Sequence, residues 1–149
     1  MEVSRREVNR ELCRRFPFLI PHNRWTDNII EDWDFEYTEL DSMPDGWRIA
    51  FGEQMCEELE QELEKIGKQD KWRIMQLKEK YGFLHLYANW YTENINKIIS
   101  KYEDISKKIC INCGEPATQI SMGWISPYCD KCTYDEERYM PIEKYYNGG

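Results

Sequence analysis

Two cysteine pairs constrain this chain more than any other feature. In CINCGEPATQISMGWISPYCDKC, residues 110–132, Cys110 and Cys113 form one C-x2-C step, and Cys129 and Cys132 form a second after fifteen intervening residues. Each step turns two sulfurs toward one point about 2.3 Å away, so the four together match the tetrahedral all-cysteine set of a structural zinc ion. Gly114 permits the tight turn after the first pair. TQI (118–120) and WIS (124–126) flank SMG like the strands of a short hairpin. The expectation is a zinc ribbon over 110–133, with a C-terminal tail over 134–149. A thioredoxin-type redox motif would carry a single C-x-x-C beside a βαβ pattern, which is missing. Four protein ligands leave no open position for an activated water, so the centre is expected to be structural.

The compartment bears on the same cysteines. No apolar run approaches the roughly 20 residues of a membrane span, and MEVSRREVNRELCRRF lacks the apolar centre of a signal peptide. A cytoplasmic protein follows as the expectation, and cytosolic thiols stay reduced, which favours metal over disulfides. Cys13 and Cys56 fall in helix-like stretches and read as small buried hydrophobes.

The region 1–109 is expected to be helical or α+β. Val8, Leu12 and Phe16 recur every four residues as one apolar helix stripe, and Arg6, Arg10 and Arg14 form a basic one. Pro17 and Pro21 end that helix. From Trp47 to Ile66, the residues Trp47, Phe51, Met55, Leu59, Leu63 and Ile66 mark a second amphipathic helix, stopped by Gly67. Residues 72–90 alternate on either side of KEKYG, as a β-hairpin does. Thr92 caps a third helix, striped by Ile95, Ile98, Ile99, Tyr102, Ile105 and Ile109. The fold class is therefore α+β: amphipathic helices and a β-hairpin with a C-terminal four-cysteine zinc ribbon.

Charge is concentrated in one place. The chain carries 28 acids against 20 Lys and Arg, a net charge of -8. Between Trp25 and Trp47 lie Asp27, Glu31, Asp32, Asp34, Glu36, Glu39, Asp41 and Asp45, with no Lys or Arg, so this segment accounts for the whole excess. Trp33, Phe35, Tyr37 and Leu40 interleave with the acids, predicting a strand or extended arm over 25–47 with one packed and one acidic side. MPDG (43–46) reads as a turn.

Catalytic motifs are absent. His22 and His85 show no spacing to a Ser, Cys or carboxylate pair, and there is no phosphate-cradling Gly-rich loop, H-E-x-x-H or G-x-S-x-G. A magnesium site on Asp32, Asp34 and Glu36 is the weaker reading, since acids on a charged surface are usually solvated. The expectation is a non-enzyme. Its partner-binding residues would be Asp27, Glu31, Asp32, Trp33, Asp34, Phe35, Glu36, Tyr37, Glu39 and Asp41, meeting a basic groove on a host or phage protein. The competing expectation is that these acids neutralise the arginine stripe within the fold. The alternative function is nucleic-acid binding through Arg6, Arg10 and Arg14, which the acidic balance disfavours.

The ordered motifs DGW (45–47), QLKEKYGFLHLY (76–87), CINCGEPA and GWISPYCDKC resemble a largely uncharacterised family of short zinc-ribbon proteins from phages, prophages and bacterial genomes, over roughly residues 44–133. Relatives carry Gly-Leu-Arg after the KEK-aromatic-Gly turn where this chain has Phe83, Leu84 and His85, so no role of that arginine carries over. The resemblance implies a mobile-element setting. There, a dense run of carboxylates with aromatic rings is expected to act as a nucleic-acid mimic against a host defence nuclease such as a CRISPR effector, whose channels are positively charged.

Overall fold

The computed structural model describes residues 4–23, 25–134 and 137–147; residues 135, 136, 148 and 149 of the expected tail lie outside them. Helix α1 (Arg5–Arg15) starts at Ser4, whose side chain accepts the Glu7 N–H at 3.2 Å. That bond satisfies one of the donors a helix start leaves unpaired. Pro17 opens a 3-10 turn, Pro17–Leu19, that carries Phe18 and Leu19 into the core. Leu12 and Phe16 are buried as expected, but Val8 is exposed and Asn9 is buried in its place. The Asn9 side-chain amide donates to the Phe35 carbonyl at 2.7 Å, so the inner face of α1 carries a polar clamp on the next segment.

That segment is not a strand. Asp27, Asp32 and Phe35 have φ of 63, 62 and 70°, and among the described residues the segment's pairing is an isolated bridge between His22 and Ile29. Left-handed residues reverse the chain, whereas a strand needs consecutive extended ones. The expectation of a strand or extended arm is corrected to a series of tight turns folded against α1. The aromatic alternation survives in part: Trp33 and Phe35 are half-buried while Asp34 and Glu36 are exposed. The segment ends in a 3-10 turn, Glu39–Ser42, held by a capping box between Thr38 and Asp41.

The expected turn at MPDG is instead the start of a helical stretch. Helix α2 (Asp45–Trp47) passes through one π-helical segment, Arg48–Gly52, into α3 (Glu53–Ile66). Trp47, Phe51, Met55, Leu59 and Leu63 are buried, and Gly67 stops the helix at φ 68°, its N–H on the Glu64 and Leu63 carbonyls. Only a residue that tolerates the left-handed region closes a helix in this way at little cost. Ile66, counted in the stripe, is exposed beside that cap.

Strands β1 (Ile74–Lys80) and β2 (Phe83–Ala88) pair antiparallel through a Tyr81-Gly82 turn, with a register shift between Ile74 and Gln76. Leu77 and Leu84 face the core. Helix α4 (Glu93–Ser106) begins at Thr92, whose hydroxyl accepts the Ile95 N–H at 3.1 Å, and packs on α3 and β2. Ile95, Ile99 and Tyr102 are buried, whereas Ile105 turns outward near the helix end. No helix among the described residues is long and apolar enough to cross a membrane.

The C-terminal part has three strands. β3 (Gln119–Ser121) lies between β4 (Pro127–Tyr128) and β5 (Tyr139–Pro141), both antiparallel to it. WIS forms the loop rather than the strand, and the tail supplies β5 and then α5 (Ile142–Asn147). Ile142 is buried and donates its N–H to the Thr118 carbonyl at 2.9 Å, so the tail completes the ribbon's sheet. Helices beside two small antiparallel sheets make the fold α+β, as the sequence predicts.

Candidate metal centre

The first knuckle follows directly from α4. The Cys110 N–H donates to the Glu115 carbonyl at 2.7 Å and the Gly114 N–H returns to the Cys110 carbonyl at 3.1 Å, with Gly114 at φ 86°. The second leaves β4 into a 3-10 turn, Asp130–Cys132, closed by the Cys132 N–H on the Cys129 carbonyl at 3.1 Å. Ile111 donates to the Pro127 carbonyl at 2.9 Å and ties the two knuckles together. The sulfurs of Cys110, Cys113, Cys129 and Cys132 consequently lie within 4.8 Å of one another.

This spacing fits a metal set. A tetrahedron with metal–sulfur bonds of about 2.3 Å has edges of about 3.8 Å, and a disulfide needs about 2.05 Å. Cys113 and Cys129 stand 3.6 Å apart and all six cysteines are free. The Asn112 amide lies 3.4 Å from the Cys132 sulfur and supplies an outer donor to a thiolate. Burial pushes the Cys110 thiol up, but backbone N–H groups of Cys129, Cys113 and Asn112 outweigh it and bring it down to about 7, whereas burial and the neighbouring sulfurs hold Cys113 and Cys132 up, so without a cation the thiols share their protons unevenly. Donors aimed at a sulfur favour the charged form that a metal requires. Among the described residues no His or carboxylate joins the set, so the four donors are all thiols.

The centre is joined to the core through DGW. The Gly46 N–H donates to the Ile111 carbonyl at 3.0 Å, and the Trp47 indole N–H donates to the Ile109 carbonyl at 3.0 Å. A Cβ on Gly46 would stand 2.7 Å from the Ile111 carbonyl carbon and closer still to the Cys110 carbonyl oxygen, while one on Gly114 would stand 2.8 Å from the Gly46 carbonyl. Two glycines cross where two backbones touch. Since backbone cannot swing aside as a side chain can, Gly46→Ala is expected to lower stability by about 2–3 kcal/mol, the upper range for forced overpacking, and to weaken metal retention. Denaturant titration and a metal-competition assay on the variant measure both effects. A Gly46→Ala protein with unchanged midpoint and metal affinity would show that the crossing yields. Nothing in the periodicity of residues 45–47 pointed to this contact, because the partner backbone is more than sixty positions away.

The other sequence-derived candidates fall elsewhere. Arg6 pairs with Asp34 at 3.1 Å and Glu36 at 3.7 Å, Arg10 lies over the Phe35 ring at 5.2 Å, and Arg14 pairs with Glu11 in its own helix. Arg5 and Arg48 meet Asp41, and Arg73 meets Asp27. Of the stripe, Arg6 thus meets two of the segment's acids and Arg10 its Phe35 ring, while Arg14 faces its own helix. Asp41 also accepts the Thr38 N–H at 2.7 Å, which makes it part of the local fold. Glu31, Asp32 and Tyr37 remain exposed, and Glu39 is half-buried. Trp33 and Phe35 lie tilted at 45° to each other with centroids 4.4 Å apart.

Neither histidine sits in a catalytic constellation among the described residues. His22 Nδ1 lies 2.7 Å from the Ile20 carbonyl, and burial holds its pKa below the usual imidazole value. His85 Nε2 lies 3.1 Å from the Lys80 carbonyl, and its ring stands between Phe83 and Tyr87. Cys13 and Cys56 are buried, and burial pushes the Cys13 thiol up to about 11 and Cys56 higher still, which keeps both protonated and inert. No family model, curated protein or solved structure matches the chain, so the assignment of the centre rests on its donor set and geometry.

Proposed function

We propose that the chain is a non-enzymatic, zinc-stapled binding protein of phage or mobile-element type. It acts in the cytoplasm and docks on a basic groove of a partner protein through residues 25–47. The metal is structural: four thiolates suit zinc, and a closed all-sulfur set leaves no position for substrate or water. The observation that carries the docking reading is that the acidic segment is an ordered ledge. The Asn9 clamp on Phe35, the tilted Trp33–Phe35 ring contact and the Trp33 indole N–H on the Tyr37 carbonyl at 2.7 Å hold its backbone, while Asp32, Asp34 and Glu36 stay exposed.

The pairing with Arg6 is compatible with docking. Arg6 and Asp34 are each about half exposed, and exposed pairs contribute about 0–1 kcal/mol, so a partner's basic groove can take over their carboxylates. Such a groove is one that normally holds nucleic acid. A host defence nuclease, including a CRISPR effector, is the class of partner that a mimic of this kind would block.

Changing Asp32, Asp34 and Glu36 to Asn, Asn and Gln tests this. A partner captured by the wild-type chain, identified and re-bound in purified form, is expected to be lost while the melting temperature stays about the same. Melting that falls in step with binding would assign these acids to internal neutralisation. Binding that persists at about 1 M salt, where the screening length is about 3 Å, would sink the electrostatic reading.

A further inference from the structure

The tip of the hairpin and the tip of the ribbon enclose a groove of about 470 Å³, lined by Lys78, Glu79, Lys80, Tyr81, Trp124 and Ile125. Its two large rings are displayed rather than packed: Trp124 is 73% exposed and Tyr81 67%. The Trp124 indole N–H nevertheless donates to Glu79 Oε1 at 3.0 Å, and the other oxygen of that carboxylate accepts the Gly82 N–H at 2.9 Å. The loop carrying Trp124 is pinned at its base by the Ser121 N–H on the Ser126 carbonyl at 3.0 Å and the Ser126 N–H on the Ser121 hydroxyl at 2.9 Å. A polar edge already satisfied, a fixed loop and an open face make the indole a preorganised stacking platform. Tyr81, at a non-glycine left-handed φ of 57° in the hairpin turn, lines the same groove.

Lys78 and Lys80, which line the groove, also belong to a ring-bearing stretch of the hairpin. Phe83, His85 and Tyr87 stand on alternate positions of β2, with centroids 4.4 and 6.4 Å apart, and Lys80 and Lys78 pair opposite Phe83 and His85. Lys78 lies 5.6 Å from the Tyr87 centroid, Lys80 5.5 Å from Tyr81 and Lys107 5.0 Å from Phe83. Among the described residues Lys78 and Lys80 form no ion pair, whereas Lys107 pairs with Asp104 at 3.2 Å, an exchangeable contact on its own helix end. On a chain whose net charge is -8, this is a local concentration of cations among rings.

We infer that this groove and the adjoining hairpin face bind single-stranded nucleic acid, one base stacking on Trp124 and Tyr81 while Lys78, Lys80 and Lys107 meet the phosphates. Every base offers a π-face and every linkage a negative charge, which is the pairing that aromatic platforms flanked by lysines recognise without sequence preference. An acidic peptide would satisfy the lysines and leave the displayed indole without a planar partner.

The test uses the full zinc-loaded chain and fluorescence anisotropy with labelled oligo-dT and oligo-U of about 15 nucleotides, within the length such sites cover. A strand of the same length with its bases removed and a Glu-rich peptide serve as competitors. Both or either oligonucleotide should bind, weakening as salt rises from about 50 to about 200 mM. Trp124→Ala and the double change Lys78→Glu, Lys80→Glu should each weaken binding about tenfold or more, and Trp124→Phe should recover most of the loss, the scale expected for one stacked base. Preference for U over dT would assign RNA, and the reverse DNA. All these side chains are at least partly exposed, so the variants should keep their metal content and melting temperature, and that control is run on each. Absence of binding, equal binding of the base-free strand, indifference to Trp124→Ala, or tighter binding of the Glu-rich peptide would each overturn the inference.

Discussion

Removal of the metal, by chelation or by Cys113→Ser, is expected to lower stability by at least about 3 kcal/mol and to loosen the core as well as the ribbon. Structural zinc sites of this donor type bind with about 10–16 kcal/mol of apparent free energy, and forming the site and folding the loops around it are one event. Here the effect has a route inward. Ile109 and Ile111 flank Cys110, and their carbonyls accept the Trp47 indole and the Gly46 N–H. When the first knuckle opens, both donors at the start of the α2–α3 stretch lose their partners. Thermal melts with and without chelator, together with near-ultraviolet circular dichroism of the buried tryptophans, measure the two consequences. About one zinc per chain is the expected metal content. Because the ligands must be thiolates, acidification should release the metal and lower the melting point in the same direction. A metal-free protein that melts like the loaded one would remove the structural role altogether.

Trp47→Ala is expected to cost about 3–5 kcal/mol, the range for emptying a fully buried large aromatic site, and to weaken the metal site although it touches no cysteine. Trp47 is fully buried within the cluster formed by Leu12, Phe51, Leu59 and Ile99 among others. Its indole is the group that ties this cluster to the residue before Cys110. Trp47→Phe separates the two roles: it keeps most of the ring and loses the N–H, leaving the Ile109 carbonyl without its donor at about 1–3 kcal/mol. If the indole transmits stability between core and centre, both variants should release metal more readily in a chelator competition, and their destabilisation should shrink when compared in the metal-free state. A Trp47→Phe protein with wild-type metal retention would confine the residue to ordinary core packing.

How much of this was legible beforehand differs between kinds of feature. The two C-x2-C steps prescribed both knuckles, Gly114 sits in the left-handed turn assigned to it, and all four sulfurs converge. The stripes of α3 and α4 apart from the exposed Ile66 and Ile105 and from Ile109, which lies past the end of α4, together with the Gly67 stop, the Thr92 cap and the hairpin between residues 74 and 88, also lie where periodicity and capping residues put them. Local geometry carries each of these, over a turn or two of chain. The misses are equally specific. Val8 and Asn9 exchanged places because a carbonyl from residue 35 waits on that side of α1. The acidic segment alternates like a strand, but left-handed residues at 27, 32 and 35 reverse it, and Asp34 and Glu36 meet Arg6.

Residues 110–132 thus held in their own spacing the four-sulfur donor set and the turn chemistry, because backbone geometry at C-x2-C reaches only a few residues. The amphipathic periods likewise held which faces would be inside. Tertiary structure alone decided what those pieces meet: Gly46 crossing Gly114, the Trp47 indole reaching the Ile109 carbonyl, Tyr139–Pro141 completing the ribbon's sheet, and Glu79 fixing Trp124 beside the hairpin tip. Each of those contacts joins segments well separated in the chain. Its strength depends on shape and satisfied polar groups at the meeting point, quantities that no local pattern of residue types contains.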